Sequence, residues 1–520
     1  MMKKAFFVSV ALLLGMSLAY AQAVKPFGQG KVLKILVSNV EADDKDFNNG
    51  VEDFPILQQF EALTGVKLEI ETAADYGALL LPRLAAKTNL PDLFVMGGNF
   101  DIVKLANDGV IQPLDALINK VAPETVQLMK DLPVIKKDIT ATDGHIYGYP
   151  GRVSQYDNRF NILGIGYRAD WAAQVGVGDP KTIADWEKML TLFRDKIPGS
   201  IPYAAGYSNN LNSFAQSWGL SPWNDWWSVD AKGKVNFDFY SADTIANMKD
   251  FLTTMNRWYK AKLIDNEFPN EHGDAIDAKT LTDKVGARLA WTAAFDDWNA
   301  QMKKDYPNVA WTVAYPPKGP TGLASSEQYG PVNNERWMVS KTSKNAELAV
   351  QFLNFVFATK TGADLMNWGI RGVSYNVAKD GTKAYTQEAL KSHYGDGNVG
   401  SYLASLGASR WPHTFPLDAF AAQLPTLTQG YKDRLADMDK MGMFRRGFYF
   451  GSLPSTPAES DALGKTKYND IKTLISEKMA KFIIGTESLS TYDAFVAQLK
   501  TLGIEDVIKI KQAQYTRYAK

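Results

Sequence analysis

The 520-residue chain contains no cysteine. That excludes disulfides, thiolate metal sites, thiol catalysis and lipid attachment through an N-terminal cysteine. An excess of charge of one sign is also missing: 57 Lys and Arg balance 57 Asp and Glu. No global field therefore favours nucleic acid or an anionic membrane, and partners must be recognised locally. Beyond residue 21 no window approaches the roughly 18 uninterrupted apolar residues of a membrane span. Histidine is scarce, and His145, His272, His393 and His413 share no metal-ligand spacing and lie near no G-x-S-x-G nucleophile. No internal repeat or low-complexity linker interrupts the chain.

What is present begins with "MMKKAFFVSVALLLGMSLAYAQA". Lys3 and Lys4 precede an apolar stretch from Ala5 to Leu18 and the small-residue pattern Ala19-Tyr20-Ala21. This reads as a secretory signal peptide, residues 1–21, cleaved after Ala21. The expected product is a free periplasmic protein. Roughly 500 mature residues exceed one ordinary core, so two or more lobes are expected.

From Lys31 the chain alternates strand and helix patterns. "KVLKILVSNV", "VKLEIET" and "PDLFVMGG" read as strands. "FPILQQFEALTG", closed by Gly65, "YGALLLPRLAAKTN", despite Pro82, and "FDIVKLANDG" read as helices. This order implies a parallel sheet covered on both faces, with ligand at the strands' carboxyl ends, near Asn39 to Asp46, Thr72 to Tyr76 and Gly97 to Asp101. Two extended runs follow, then a helix from "TIADWEKMLTLFRDKI" with Thr182 as N-cap. "ERWMVS" adds a strand after Pro331, and the carboxyl-terminal region is mostly helical.

Catalytic motifs are weak. "GIGYRA", Gly164 to Ala169, fits G-x-G-x-x-A but lacks the acidic residue a dinucleotide site needs, and "GKT" at Gly464 to Thr466 has Glu459 where a phosphate loop demands Gly. No cofactor is expected. The acidic stretch "EADDKDFNNGVED" lacks the apolar pocket that separates the pKa values of a glycosidic acid pair.

"FPILQQFEALTGVKLEIE", "PDLFVMGG", "LANDGVIQPLDALI", "DGHIYGYP" and "GIGYRADW" occur in that order. They resemble the amino-terminal half of extracellular solute-binding proteins of ABC importers, family 1-like. "KNAELAVQFLNFVFATKTGADLMNWGIRGVSYNV" and the terminal "FIIGTESLSTYDAFVAQLKTLGIEDVIKIKQAQYTRY" are similar to its long subgroup, which includes alginate-oligosaccharide-binding and LplA-like proteins. The resemblance implies an α/β, two-lobed periplasmic binding protein with hinged lobes, each a central β-sheet flanked by helices, and a helical carboxyl-terminal region. Lobe 1 would comprise residues 30–151 and 331–370, and lobe 2 residues 152–330 and 371–520. It also implies a monomeric, non-enzymatic receptor that closes over an oligosaccharide in an interlobe cleft and delivers it to ABC transporter permease subunits. Two departures bear on the site. Arg371 replaces Glu in the "GIEG" turn, and in "RDKIPGSIPY", which stands where the subgroup has its calcium loop, only Asp195 could contribute a side-chain carboxylate, so no metal is expected.

Saccharide sites combine aromatic plates with planar polar groups. Trp291, with Asp296 behind it, corresponds by resemblance to a stacking loop. Trp337, Trp368 and Arg371, Tyr156, Asn158 and Arg159 at the first crossover, and Asn99 and Asp101 after the third strand complete the expectation. Arg159 and Arg371 leave room for a uronate-bearing ligand. In "WGLSPWNDWW" Trp223, Trp226 and Trp227 share one face if helical, which assigns Trp226 and Trp227 to packing and leaves Trp218 and Trp223 as sugar plates. Two rivals stay open: an exported polysaccharide hydrolase or lyase using an acidic pair such as Asp296 with a crossover residue, and a receptor for a peptide or small organic acid on the same fold.

Overall fold

A computed structural model describes residues 24–38, 54–73, 75–96, 102–150, 163–206, 212–268, 273–292, 294–328, 335–391, 399–408, 422, 424–446 and 449–520. The chain forms two compact units. The first is Met1–Asp157, Pro331–Thr426 and Pro454–Pro457, and the second Asn158–Gly330, Leu427–Leu453 and Ala458–Lys520.

The first unit is built on a five-stranded sheet ordered Lys67–Ala73, Val32–Ser38, Leu93–Met96, Arg336–Val339, Gly148–Pro150. Its first three strands are parallel, and Arg336–Val339 runs antiparallel to both neighbours. Both faces are covered, as the β-α-β order requires. Leu33, Ile35 and Val37 point into one core with Phe60, Phe352 and Trp337, while Leu36 joins Leu80, Leu84, Phe94 and Met338 in the other. Helix Pro55–Thr64 ends at Gly65, whose φ of 71° is the left-handed cap a glycine accepts without strain. Helix Tyr76–Ala86 carries Pro82 inside it and is capped by the Asp75 carboxylate.

The described residues between 371 and 426 group with this unit, whereas the sequence suggested the second. The reason is long-range. The Ile56 N–H donates to Leu406 O at 3.0 Å, and Gly407 lies so close to Phe54 and Ile56 that a Cβ there would come within 2.8 Å of both side chains.

The second unit centres on strand Leu163–Arg168, flanked on both sides by antiparallel strands, Ala287–Trp291 and Trp311–Val313. Ile165, Tyr167 and Ala287 face a large core shared with the helices Ile183–Lys196, Ile245–Lys260, Tyr468–Ile484, Tyr492–Thr501 and Ile504–Ala519. The opposite face packs on Phe295, Trp298 and Trp311. Helix Ile183–Lys196 starts on a capping box: the Asp185 N–H donates to Thr182 Oγ1 at 3.1 Å and the Thr182 N–H to Asp185 Oδ2 at 2.9 Å. The glycines of "GIGYRA" make room within this sheet: a Cβ at Gly166 would lie 2.2 Å from the Phe295 ring. Among the described residues no helix is long and apolar enough to cross a membrane.

Candidate ligand site

At one end of the second unit's sheet Trp291 stands opposite Leu163 in register, on the last residue of its strand. Trp291 is 41% exposed. The following residue, Thr292, is buried, and its hydroxyl accepts from the Tyr431 hydroxyl, which pins the strand end. Gly164 permits this close turn, because a Cβ there would lie 2.8 Å from Thr292 Cγ2. A large aromatic surface is thereby held in solvent by a rigid element.

Beside Leu163 the sheet borders a shallow recess, open to solvent, whose wall includes Ile165, Gln216, Trp223, Tyr315 and Ser325. Trp223 is half-buried on the turn Pro222–Asn224. Pro222 fixes the start of that turn, and Asp225 and Trp226 then adopt positive φ of 51° and 64°. The Asp238 carboxylate, fully buried, accepts from the Ser221 N–H at 2.6 Å and Ser228 Oγ at 2.8 Å. Asn224 Oδ1 accepts from the Phe450 N–H at 2.6 Å. The turn is thus fixed from both sides.

Behind the recess the Tyr315 hydroxyl donates to Asp437 at 2.9 Å, and the Arg434 guanidinium lies over its ring at 4.5 Å. Burial, aided by Asp437, raises the Tyr315 pKa. Arg434 and the Tyr167 hydroxyl both donate to Asp179. Burial pushes the Asp179 carboxyl up, but these two donors outweigh it and hold the group below its ordinary value.

Several expected site residues are structural instead. Trp337 is 0% exposed in the central strand of the first unit, between Val95 and Tyr149, so neither ring face can meet a ligand. Trp368 is 2% exposed, packed on Tyr375 and Tyr385 with Lys383 over its ring. Trp218 is 1% exposed, packs edge-on to Phe251 and donates its indole N–H to Asp250 at 2.7 Å. The helical face expected across "WGLSPWNDWW" does not form, because the positive φ at Asp225 and Trp226 ends the turn. Trp227 begins a strand and is buried with its N–H on the Tyr468 hydroxyl, while Trp226 is half-buried against Phe239. Asp296 is half-buried and accepts from the N–H and hydroxyl of Thr428 at 3.0 and 3.2 Å, at the start of helix Gln429–Lys440.

Arg371 is half-buried in the first unit, in a turn that bridges back to Tyr375. Asn99, Asp101, Tyr156, Asn158 and Arg159 lie outside the described residues, as do His272, His393, His413 and the acidic stretch at 41–53. In the segment compared with a calcium loop, Asp195 is exposed and accepts from Arg194 Nε at 2.7 Å. Gln216, Tyr315 and Ser325 carried no sequence signal. Ser325 reaches the recess through the pairing of Ser326–Gln328 with the distant Phe444–Arg446, which nothing in "GLASSEQ" announces.

Residues 39–363 match the model of a family described as bacterial extracellular solute-binding protein. The fructooligosaccharide ABC transporter substrate-binding protein FusA of Streptococcus pneumoniae serotype 4 is 24% identical over 512 residues, covering 95% of this chain and 91% of FusA. The polygalacturonan/rhamnogalacturonan-binding protein YtcQ of Bacillus subtilis is 23% identical, over 87% of this chain and 86% of that protein. Among solved structures, the alginate-binding protein AlgQ2 without calcium ion superposes with a TM-score of 0.77 at 22% identity, covering 95% of this chain and 99% of AlgQ2. FusA in complex with kestose gives 0.74 at 21% identity, over 94% and 99%.

Proposed function

Because the chain belongs to the bacterial extracellular solute-binding protein family and has the two-domain α/β fold of periplasmic binding proteins, we propose that it is a receptor that captures an oligosaccharide and delivers it unchanged to an ABC importer. The observation that carries this reading is Trp291, a half-exposed indole on a fixed strand end beside a recess that Trp223 helps to line. Sugar rings present flat C–H faces, and an exposed indole beside a mostly apolar recess that carries a few polar groups, Gln216, Tyr315 and Ser325, suits them. The names of the relatives support the ligand class, since FusA and YtcQ are both named for saccharides. In this reading the protein acts as a monomer in the periplasm, with membrane permease subunits as its partners, and it performs no chemistry on the ligand. The engagement of Asp296 by Thr428 supports the non-enzymatic reading over an acid pair using that carboxylate.

The test is thermal unfolding of the mature chain against a panel of oligosaccharides, peptides and organic acids, with reducing ends assayed in parallel. Saturable stabilisation by a saccharide is expected, about 2.7 kcal/mol at one hundred times Kd, with no new reducing ends. Stabilisation by peptides or acids alone, or release of reducing ends, would sink the reading.

A further inference from the structure

We propose that the recess in the second unit is a subsite for the hydroxylated edge of one neutral sugar ring, with Ser325 as its hydrogen-bonding floor and Trp223 as its wall. This rests on the saccharide reading above and narrows it.

Three observations converge. The first is charge: none of the twelve lining residues, counted among those described, carries a formal charge. Arg434, close behind, is directed at Asp179 and laid over the Tyr315 ring. A uronate carboxylate entering here would lose its water and meet no cation among the lining residues described, an unfavourable exchange. A neutral hydroxyl avoids that penalty.

The second is an unmet hydrogen bond. Ser325 is 6% exposed, and its Oγ has no hydrogen-bond partner among the described residues. Buried hydroxyls are nearly always paired, so an unpaired one that lines a recess marks a place where a guest completes the bonding. Serine both donates and accepts, as a sugar hydroxyl does. Gln216, also buried, supplies an amide to the same wall.

The third is size. The recess is shallow and open to solvent, with about 30 Å³ of room for water-sized groups. A water needs roughly 10–15 Å³ of such room, so the recess admits a hydroxyl or hydroxymethyl arm and not a whole ring. The ring itself stays in the open part, against Trp223, Pro316 and Pro317.

The experiment is calorimetric titration of the mature chain and its Ser325→Ala variant with maltotriose, kestose and mannotriose as neutral probes and with trigalacturonate and trimannuronate as acidic ones. At least one neutral trisaccharide is expected to bind at least tenfold more tightly than either uronate. Ser325→Ala should weaken it about threefold to tenfold, the effect of one hydrogen bond. The unliganded thermal midpoint should not fall, because the hydroxyl makes no bond in the free protein; a packing role for Ser325 would lower the midpoint and spare affinity. Tightest binding by a uronate, or unchanged affinity in Ser325→Ala, overturns the recess assignment and leaves the receptor reading standing. Binding of none of the five overturns both.

Discussion

Leu163 pairs directly with Trp291 across the antiparallel register, so the residue that borders the recess also sets the position of the exposed indole. The two features therefore move as one rigid piece of sheet. Trp291→Ala should weaken saccharide binding about tenfold, near 1.4 kcal/mol. Unliganded stability should stay within about 0.5 kcal/mol, as for other surface changes. Titration paired with urea unfolding reads both, and a stability loss with intact affinity would return Trp291 to a packing role.

Trp218 should behave in the opposite way. It is enclosed by the second core and donates to Asp250. Trp218→Ala is expected to cost about 3–5 kcal/mol, read by urea unfolding, with the affinity of the folded fraction unchanged. A binding defect at full stability would contradict its placement.

Asp238 holds the Trp223 turn without touching the recess. Replacing it by Ala leaves the buried Ser221 N–H without its carboxylate acceptor and should cost about 2–4 kcal/mol. Saccharide affinity should fall as well, because Trp223 loses its fixed support. If affinity is unchanged in the folded fraction, Trp223 takes no part in binding.

Lys511 gives a pH signature. Burial in helix Ile504–Ala519 lowers its pKa from 10.5 to about 8, against the pull of Asp225 and Glu459 and with the push of Lys472. The folded pKa lies below the unfolded one, so between these values the unfolded chain holds more protons and stability rises with pH. Lys511→Met should therefore be more stable than the parent at pH 7, by about 3 kcal/mol, with the gap closing toward pH 10. Unfolding of the two proteins compared pH by pH isolates this contribution from every group the two share. A constant gap would show that Lys511 does not titrate in this window.

Legibility in the sequence followed the range of the interactions involved. Gly65 and Thr182 announce helix ends because capping is settled within four residues, and both caps form where their patterns place them. The alternation in "VLKILVS" shows as a strand with side chains buried on both faces. The tryptophans were harder, since burial depends on distant partners: Trp337 is enclosed by its pairing with Val95 and Tyr149, and Trp368 by Tyr375 and Tyr385. In "WGLSPWNDWW" spacing alone suggested a helix, but two consecutive left-handed residues break it, a conformation that neither Asp nor Trp advertises. The assignment of 371–426 failed for the same reason, as the contact that decides it joins Gly407 to Phe54.

The central position of Arg336–Val339 governs the order in which the molecule can be assembled. A ribosome has released the strands that will lie on either side of it, Leu93–Met96 and Gly148–Pro150, long before this segment emerges. Until then the first sheet has a gap where its fourth strand belongs, and no contiguous amino-terminal fragment can close it. Synthesis itself thus delays completion of the sheet and makes folding of the first unit a late event.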